Sequence, residues 1–327
     1  LVSGEDKNNW GSFANLSAIG KNKDGLAING TPGRRNSLHY LISPSSSYLN
    51  QDKTLKKVNN PYIIFHTPLT IQNGVTLTVE PGVVIKFYNS TSLAVNGIIK
   101  AEGTAEDPIV FTSFKDDSLA EDTNQDATST SPQAGDWGTI KIAGSGSSFD
   151  HVIFRYGGLQ DFAASLWANL RVENAAFTLK NSVIEESAVY GAWLKNASGT
   201  VENNIIKNNN QGPNSIGIMA EGGTLDIKNN NFDNNSFGLR LTNGPGDTGN
   251  FNVQNNHFTR QIYHPIFFSG AYPYFSGNTA ADNGENGIHW EGSLQQDYTL
   301  SPDLPYLIEH NNISVPINKT LTILPGT

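Results

Sequence analysis

From residue 61 onward the apolar residues come in short bursts at alternate positions. Leu69 and Ile71 are followed by Leu77 and Val79, Ile85 and Phe87, Leu93 and Val95, then Ile109 and Phe111. Successive side chains of a strand point to opposite faces, so this spacing predicts half-buried β-strands. The bursts span three to five residues and end in Gly, Asn or Pro. No amphipathic helical stretch separates them, which argues against alternating strands and helices.

The second half turns the pattern into a repeat. FTLKNSVIEESAVYGAWL (177–194), VENNIIKNNNQGPNSIGIMA (201–220), LDIKNNNFDNNSFGLRL (225–241) and FNVQNNHFTRQIYHPIFF (251–268) share one order: strand, Asn-rich turn, strand, polar turn, then Gly (Pro265 in the last) and apolar residues. A repeat of about 24–26 residues is in the range of solenoid coils. Each coil returns to the same place, so its strands stack in parallel about 4.8 Å apart and alternate side chains fill one narrow core. The fold class expected is all-β, a parallel β-solenoid. Asn recurring at the same turn can pass amide hydrogen bonds from coil to coil, and it tolerates the left-handed backbone of a sharp turn. N-glycosylation is the alternative use of Asn, with sequons at Asn89-Ser90-Thr91 and Asn196-Ala197-Ser198. Most of the Asn residues instead keep register with the strands, which favours the ladder.

A longer repeat lies over the short one. Residues 61–82 align without a gap on residues 305–326, an offset of 244, with His66 on His310, Leu77-Thr78 on Leu321-Thr322 and the Pro-Gly pairs coincident. Residues 24–30 likewise resemble residues 286–292. The organisation expected is therefore the last coils of a preceding unit (1–30), a Ser-rich junction loop (31–60), a complete unit (61–304) and the first coils of a following unit (305–327). Leu321 and Ile323 are expected to face inward, and neighbouring repeat units or subunits to stack end to end on the open coil.

Composition narrows the partners. Among 327 residues the net charge is −9 and only 16% are charged. An acidic balance disfavours nucleic acid and anionic membranes, and no apolar run approaches the ~18 residues of a spanning helix. With no Cys there is neither a disulfide nor a thiolate site.

The succession LTVEPGVVIKF, LAVNGIIKAEGTAEDPIVFTS, GDWGTIKI and FDHVIFRYGG resembles the right-handed parallel β-helix repeat proteins of bacterial cell surfaces, within the pectate-lyase-like superfamily. The likeness covers about residues 61–327. It implies a right-handed coil, an extracellular or cell-surface location, and a structural or adhesive role as a stalk, surface layer or fibre subunit. The same superfamily hosts pectate lyases, polygalacturonases and uronate epimerases, so a polysaccharide-binding or polysaccharide-cleaving module is the alternative. The paired-Asp and Gly-His-Gly pattern of the polygalacturonases and the Asp-Pro-His-Asp of the epimerases are both missing. Asp150-His151, with Arg155 following, comes nearest to a catalytic group, but strict alternation places the two on opposite faces. No catalytic residue is assigned.

The best ligand signal is the acidic stretch 115–137. Asp122, Asn124 and Asp126 alternate as oxygen ligands do in calcium loops, and Asp116 and Asp117 are available to add to them, as is Asp136. The stretch departs from an EF-hand, with Ala127 where the turn Gly belongs and Gln133 where the bidentate Glu belongs. A structural Ca²⁺ pinning a long loop to the coil wall is the expectation. Finally, aromatics crowd 263–275; Phe267 and Phe275 are expected in the core, with the tyrosines lining a loop.

Overall fold

The computed structural model describes residues 28–29, 38–40, 47–65, 67–120, 122–159, 168–244, 249–308 and 313–327. Among them all regular structure is strand, and nearly all pairing is parallel. The chain winds through three faces in fixed order. The first face begins with Leu69–Ile71, Leu93–Val95 and Ile140–Ile142; the second with Thr76–Val79, Ile98–Glu102 and Ser147–Asp150; the third with Val84–Phe87, Ile109–Ser113 and Val152–Arg155. The third face is an 11-stranded sheet ending at Thr279–Ala281. The first and second faces merge because Tyr190–Glu202 and Ile216–Lys228 each run through the corner between them.

The core is one apolar column per inward position. On the first face Leu93, Ile140, Leu170, Ala192, Ile218, Leu239, Ile266 and Ile288 lie in register, all fully buried. On the third face aromatic rings stack between coils: Phe111 on Phe154 at 5.4 Å and Phe232 on Phe258 at 4.6 Å. Identical apolar types meeting at strand spacing is what makes each coil cover the last.

The corners explain the asparagines. Between the second and third faces Asn181, Asn203, Asn229 and Asn255 adopt φ of 48° to 58°, and Gly277 takes the equivalent place. The next residue points inward. Asn204 donates to Asn230, Asn230 to Asn256 and Asn256 to Asn278, at 2.9, 2.9 and 3.0 Å, and Asn278 to Asp303 at 2.6 Å. A second ladder runs through Asn209, Asn235 and Gln261 at the other edge of the third face. Its steps and those of the first span 22 to 26 residues, slightly wider than the 24–26 expected.

Three expectations change. Within the expected junction loop, Tyr48–Leu49 and Lys53–Leu55 are strands that pair in parallel with Leu69–Ile71 and Thr76–Val79. Across the long repeat the strands recur at matched positions, Leu69–Ile71 against Ile313–Ser314 and Thr76–Val79 against Leu321–Ile323. Of the expected inward pair, however, Leu321 packs on the core while Ile323 is exposed. Third, Asp150 and His151 do meet, with Nδ1 2.7 Å from Oδ1. His151 sits at the corner with φ of 48°, and that turn breaks the alternation. His66, His310 and, apart from 28–29, the stretch 24–30 lie outside the described residues.

Candidate calcium loop and the outward faces

The long connection between Ile109–Ser113 and Ile140–Ile142 is seated by one outward column of the third face. Lys86, Thr112 and Arg155 lie in register on consecutive coils. Lys86 is fully buried and donates from Nζ to the Asp116 carbonyl at 2.7 Å and to Thr123 Oγ1 at 2.6 Å. Thr112 Oγ1 and Arg155 Nη2 both donate to Asp116 Oδ2 at 2.5 Å. Burial works to raise the Asp116 pKa, but hydrogen bonds from Ser118 and Thr112 and the Arg155 charge outweigh it and hold the carboxyl below its usual range. Burial drives the Lys86 ammonium down to about 8, against the pull of Asp116 and Asp117.

Asp116 is therefore an anchor of the loop and not one of the converging ligands. Asp136 is likewise engaged elsewhere: Lys115 Nζ lies 2.7 Å away, and Ser113 Oγ and the Gln133 N–H donate to it. The carboxylates that converge are Asp117, Asp122 and Asp126, whose ligand oxygens all lie within 4.8 Å of one another. Oxygens of one Ca²⁺ shell sit 2.3–2.6 Å from the ion, so they lie within about 5 Å of each other. Asp122 accepts the backbone N–H groups of Asp126 and Ala127 at 3.2 and 2.9 Å, which closes the turn. Ala127 and Gln125 take φ of 61° and 60°, so the left-handed backbone expected of Gly is reached without it.

Three oxygens in this turn, Asp117 Oδ1, Asn124 Oδ1 and Asp126 Oδ1, are buried without a hydrogen-bond partner. Asn124 donates its amide N–H groups to Asp126 and Thr130, which leaves its oxygen unpaired. Burial first, and the Asp122 charge next, push the Asp117 carboxyl above its usual range. The Lys86 charge reaches Asp117 and Asp122, but unpaired buried acceptors of this kind are costly unless a cation or donor meets them. The donor set is all oxygen, the preference of a hard cation.

A second outward column runs along the first face, where Arg171, Trp193, Met219, Arg240, Phe267 and His289 lie in register. The Arg171 guanidinium lies 4.2 Å from the Trp193 ring centroid and that of Arg240 4.6 Å from Phe267. Trp193 Nε1 donates to Glu221 at 2.8 Å. Phe267 thus faces outward, and the core position expected of it belongs to Phe268; Phe275 is buried as expected, and Tyr263 and Tyr274 are exposed. Sequence reasoning missed this column because its members are one per coil, dispersed among unrelated residues. The second face carries charge-paired residues instead, such as Lys180, Glu202 and Lys228 at 3.5 Å spacings.

Comparison with known proteins agrees with the geometry of the coil. A family model described as a right handed beta helix region matches residues 168–300, and one described as a pectate-lyase like beta helix domain matches residues 48–152. The curated Protein bark beetle of Drosophila melanogaster is 32% identical over 83 residues, 25% of this chain and 3% of that protein. The chain thus spans a small fraction of that relative's length. A solved polygalacturonase from Erwinia carotovora ssp. carotovora aligns with a TM-score of 0.32 and 11% identity, covering 91% of this chain and 97% of that one. That likeness is too distant to transfer any residue's role.

Proposed function

Starting from a chain that belongs to the right-handed parallel β-helix proteins, we propose that it serves as a stiff structural or adhesive segment of a larger secreted or surface-displayed protein. Its coils stack end to end with neighbouring units, and Ca²⁺ fastens the 114–139 loop to its wall. The observation that carries this reading is the pair of side-chain ladders, which link coil to coil from Ser182 to Asp303 and from Ser187 to Asn283. Bending or shearing the coil breaks several buried hydrogen bonds at once, so the solenoid resists load along its length.

Calcium adds a local clamp where the wall carries its longest described connection. Asp117, Asp122 and Asp126 would hold the ion with Asn124 Oδ1, and the ion would cancel their mutual repulsion. The test is calorimetric titration with Ca²⁺ alongside thermal melting in Ca²⁺ and in chelator. The expected result is binding that raises the melting temperature, and its loss in Asp122→Asn. Because burial raises the Asp117 pKa, protons compete for the site at higher pH than for an ordinary carboxylate, so affinity falls early on acidification. No heat of binding and a chelator-independent melt would remove calcium from the proposal.

The outward column of the first face favours a second reading, a polysaccharide-binding module. Trp193 and Phe267 offer flat apolar rings that stack on sugars, and Arg240 beside Phe267 can pair with a carboxylate, whereas Arg171 is buried and held by Glu173.

A further inference from the structure

We propose that His264, Glu285 and His289 form a binding site for a transition-metal dication of the zinc class. The three come from two consecutive coils, and their ligand atoms all lie within 4.8 Å of one another. Glu285 Oε2 lies 2.5 Å from His289 Nε2 and 3.5 Å from His264 Nδ1, so one carboxylate oxygen faces both imidazoles. The two rings stack with centroids 3.4 Å apart.

Ligand atoms about 2.0–2.2 Å from a tetrahedral zinc stand roughly 3.3 Å from each other. The His264–Glu285 separation already meets this value, and the His289–Glu285 pair reaches it by opening slightly. Two imidazoles and one carboxylate are the ligand types that favour zinc and its neighbours over Ca²⁺ or Mg²⁺. His289 is almost fully buried and Glu285 is half exposed, which gives a dry back wall and an open front where water completes the shell.

The backbone fixes the turn that carries Glu285 before any metal arrives, and one stacked imidazole must turn about its side-chain torsions for both ring nitrogens to meet one ion. The Glu285 N–H donates to the Tyr263 carbonyl at 3.0 Å, and the Gly284 N–H to the Gln261 carbonyl at 3.0 Å. A Cβ at Gly284 would sit 2.3 Å from the Ile262 carbonyl oxygen, and one at Gly287 would sit 2.6 Å from Leu307 Cγ. Glycine is therefore required on both sides of Glu285, and the turn is pressed against its neighbours. Phe237 flanks His264 at 5.5 Å between ring centroids. The site lies just past Thr279–Ala281, the last strand of the third face, so a bound metal would tie coils together where that sheet ends.

Titration of the intact chain with Co²⁺, read by its visible absorption, tests the site. The expected result is uptake of one ion, displaced by Zn²⁺ and unaffected by excess Ca²⁺. Glu285→Gln, on the surface and nearly isosteric, should weaken binding by more than roughly tenfold, since even an outer-shell partner of a ligand is worth that much. Asp122→Asn, in the calcium loop, should leave Co²⁺ binding unchanged, which separates this site from the one proposed above. No uptake by the unaltered chain, displacement by Ca²⁺, or undiminished uptake by the His264→Ala, Glu285→Gln double variant would overturn the assignment.

Discussion

The triplet Asn229-Asn230-Asn231 shows how much one residue type conceals. Asn229 makes the left-handed turn with φ of 56° and is exposed; Asn230 is buried in the ladder; Asn231 opens the next strand. Periodicity and turn chemistry make an Asn ladder legible, but three adjacent identical letters do not say which one points inward. The energetic difference between them is large. Asn230 accepts from the Asn204 backbone and side-chain N–H groups and donates to Asn256 Oδ1 and the Val201 carbonyl. Asn230→Ala orphans these buried groups, and the expected loss is on the order of 3 kcal/mol or more. Asn229→Gly keeps the backbone conformation and should cost no more than about 0.5 kcal/mol. Urea midpoints of the two variants check this, and similar midpoints would show that the ladder contributes little. His151 is the opposite case: it takes the left-handed corner that Asn holds in later coils, so alternation alone misplaced its side chain.

At the scale of strands, the inward columns were readable because alternation fixes which residues share a face. What they stack on was not, since register depends on connections of variable length. Lys86, Thr112 and Arg155 form the seat of the calcium loop only because the strands bearing them align across coils of unequal size. For that reason Asp116 read as a ligand when it is the loop's anchor. The first face's outward column was hidden in the same way, and it makes its own prediction. If the second reading holds, the chain should be retarded in gels containing a uronate polymer. Trp193→Ala should release it, because the ring stacking on Arg171 and Lys195 supplies the platform. Unretarded migration of the unaltered chain would sink the polysaccharide reading and leave the mechanical one standing. The side chain's own cation–π contribution to stability is about 0.5–2 kcal/mol, too little for the variant to unfold a coil tied on both sides.

At the scale of the molecule, the long repeat supplies an internal control for what a coil's outer side needs. Ile64, Ile71 and Val79 are 2%, 0% and 2% exposed, whereas their counterparts Ile308, Val315 and Ile323 are 58%, 46% and 62% exposed. The sequences correspond; the surroundings differ, because in the first copy the coil that follows lies against them. Burying an aliphatic side chain is worth roughly 1.5–3 kcal/mol, so a coil or unit lying against these three positions would be stabilised by them. End-to-end stacking of units through this face should appear as sedimentation that quickens with protein concentration. Ile308→Lys combined with Ile323→Lys should abolish that dependence without lowering the urea midpoint, since neither side chain packs in the core. Sedimentation as a monomer at every concentration, or association untouched by the two lysines, would refute stacking through these residues.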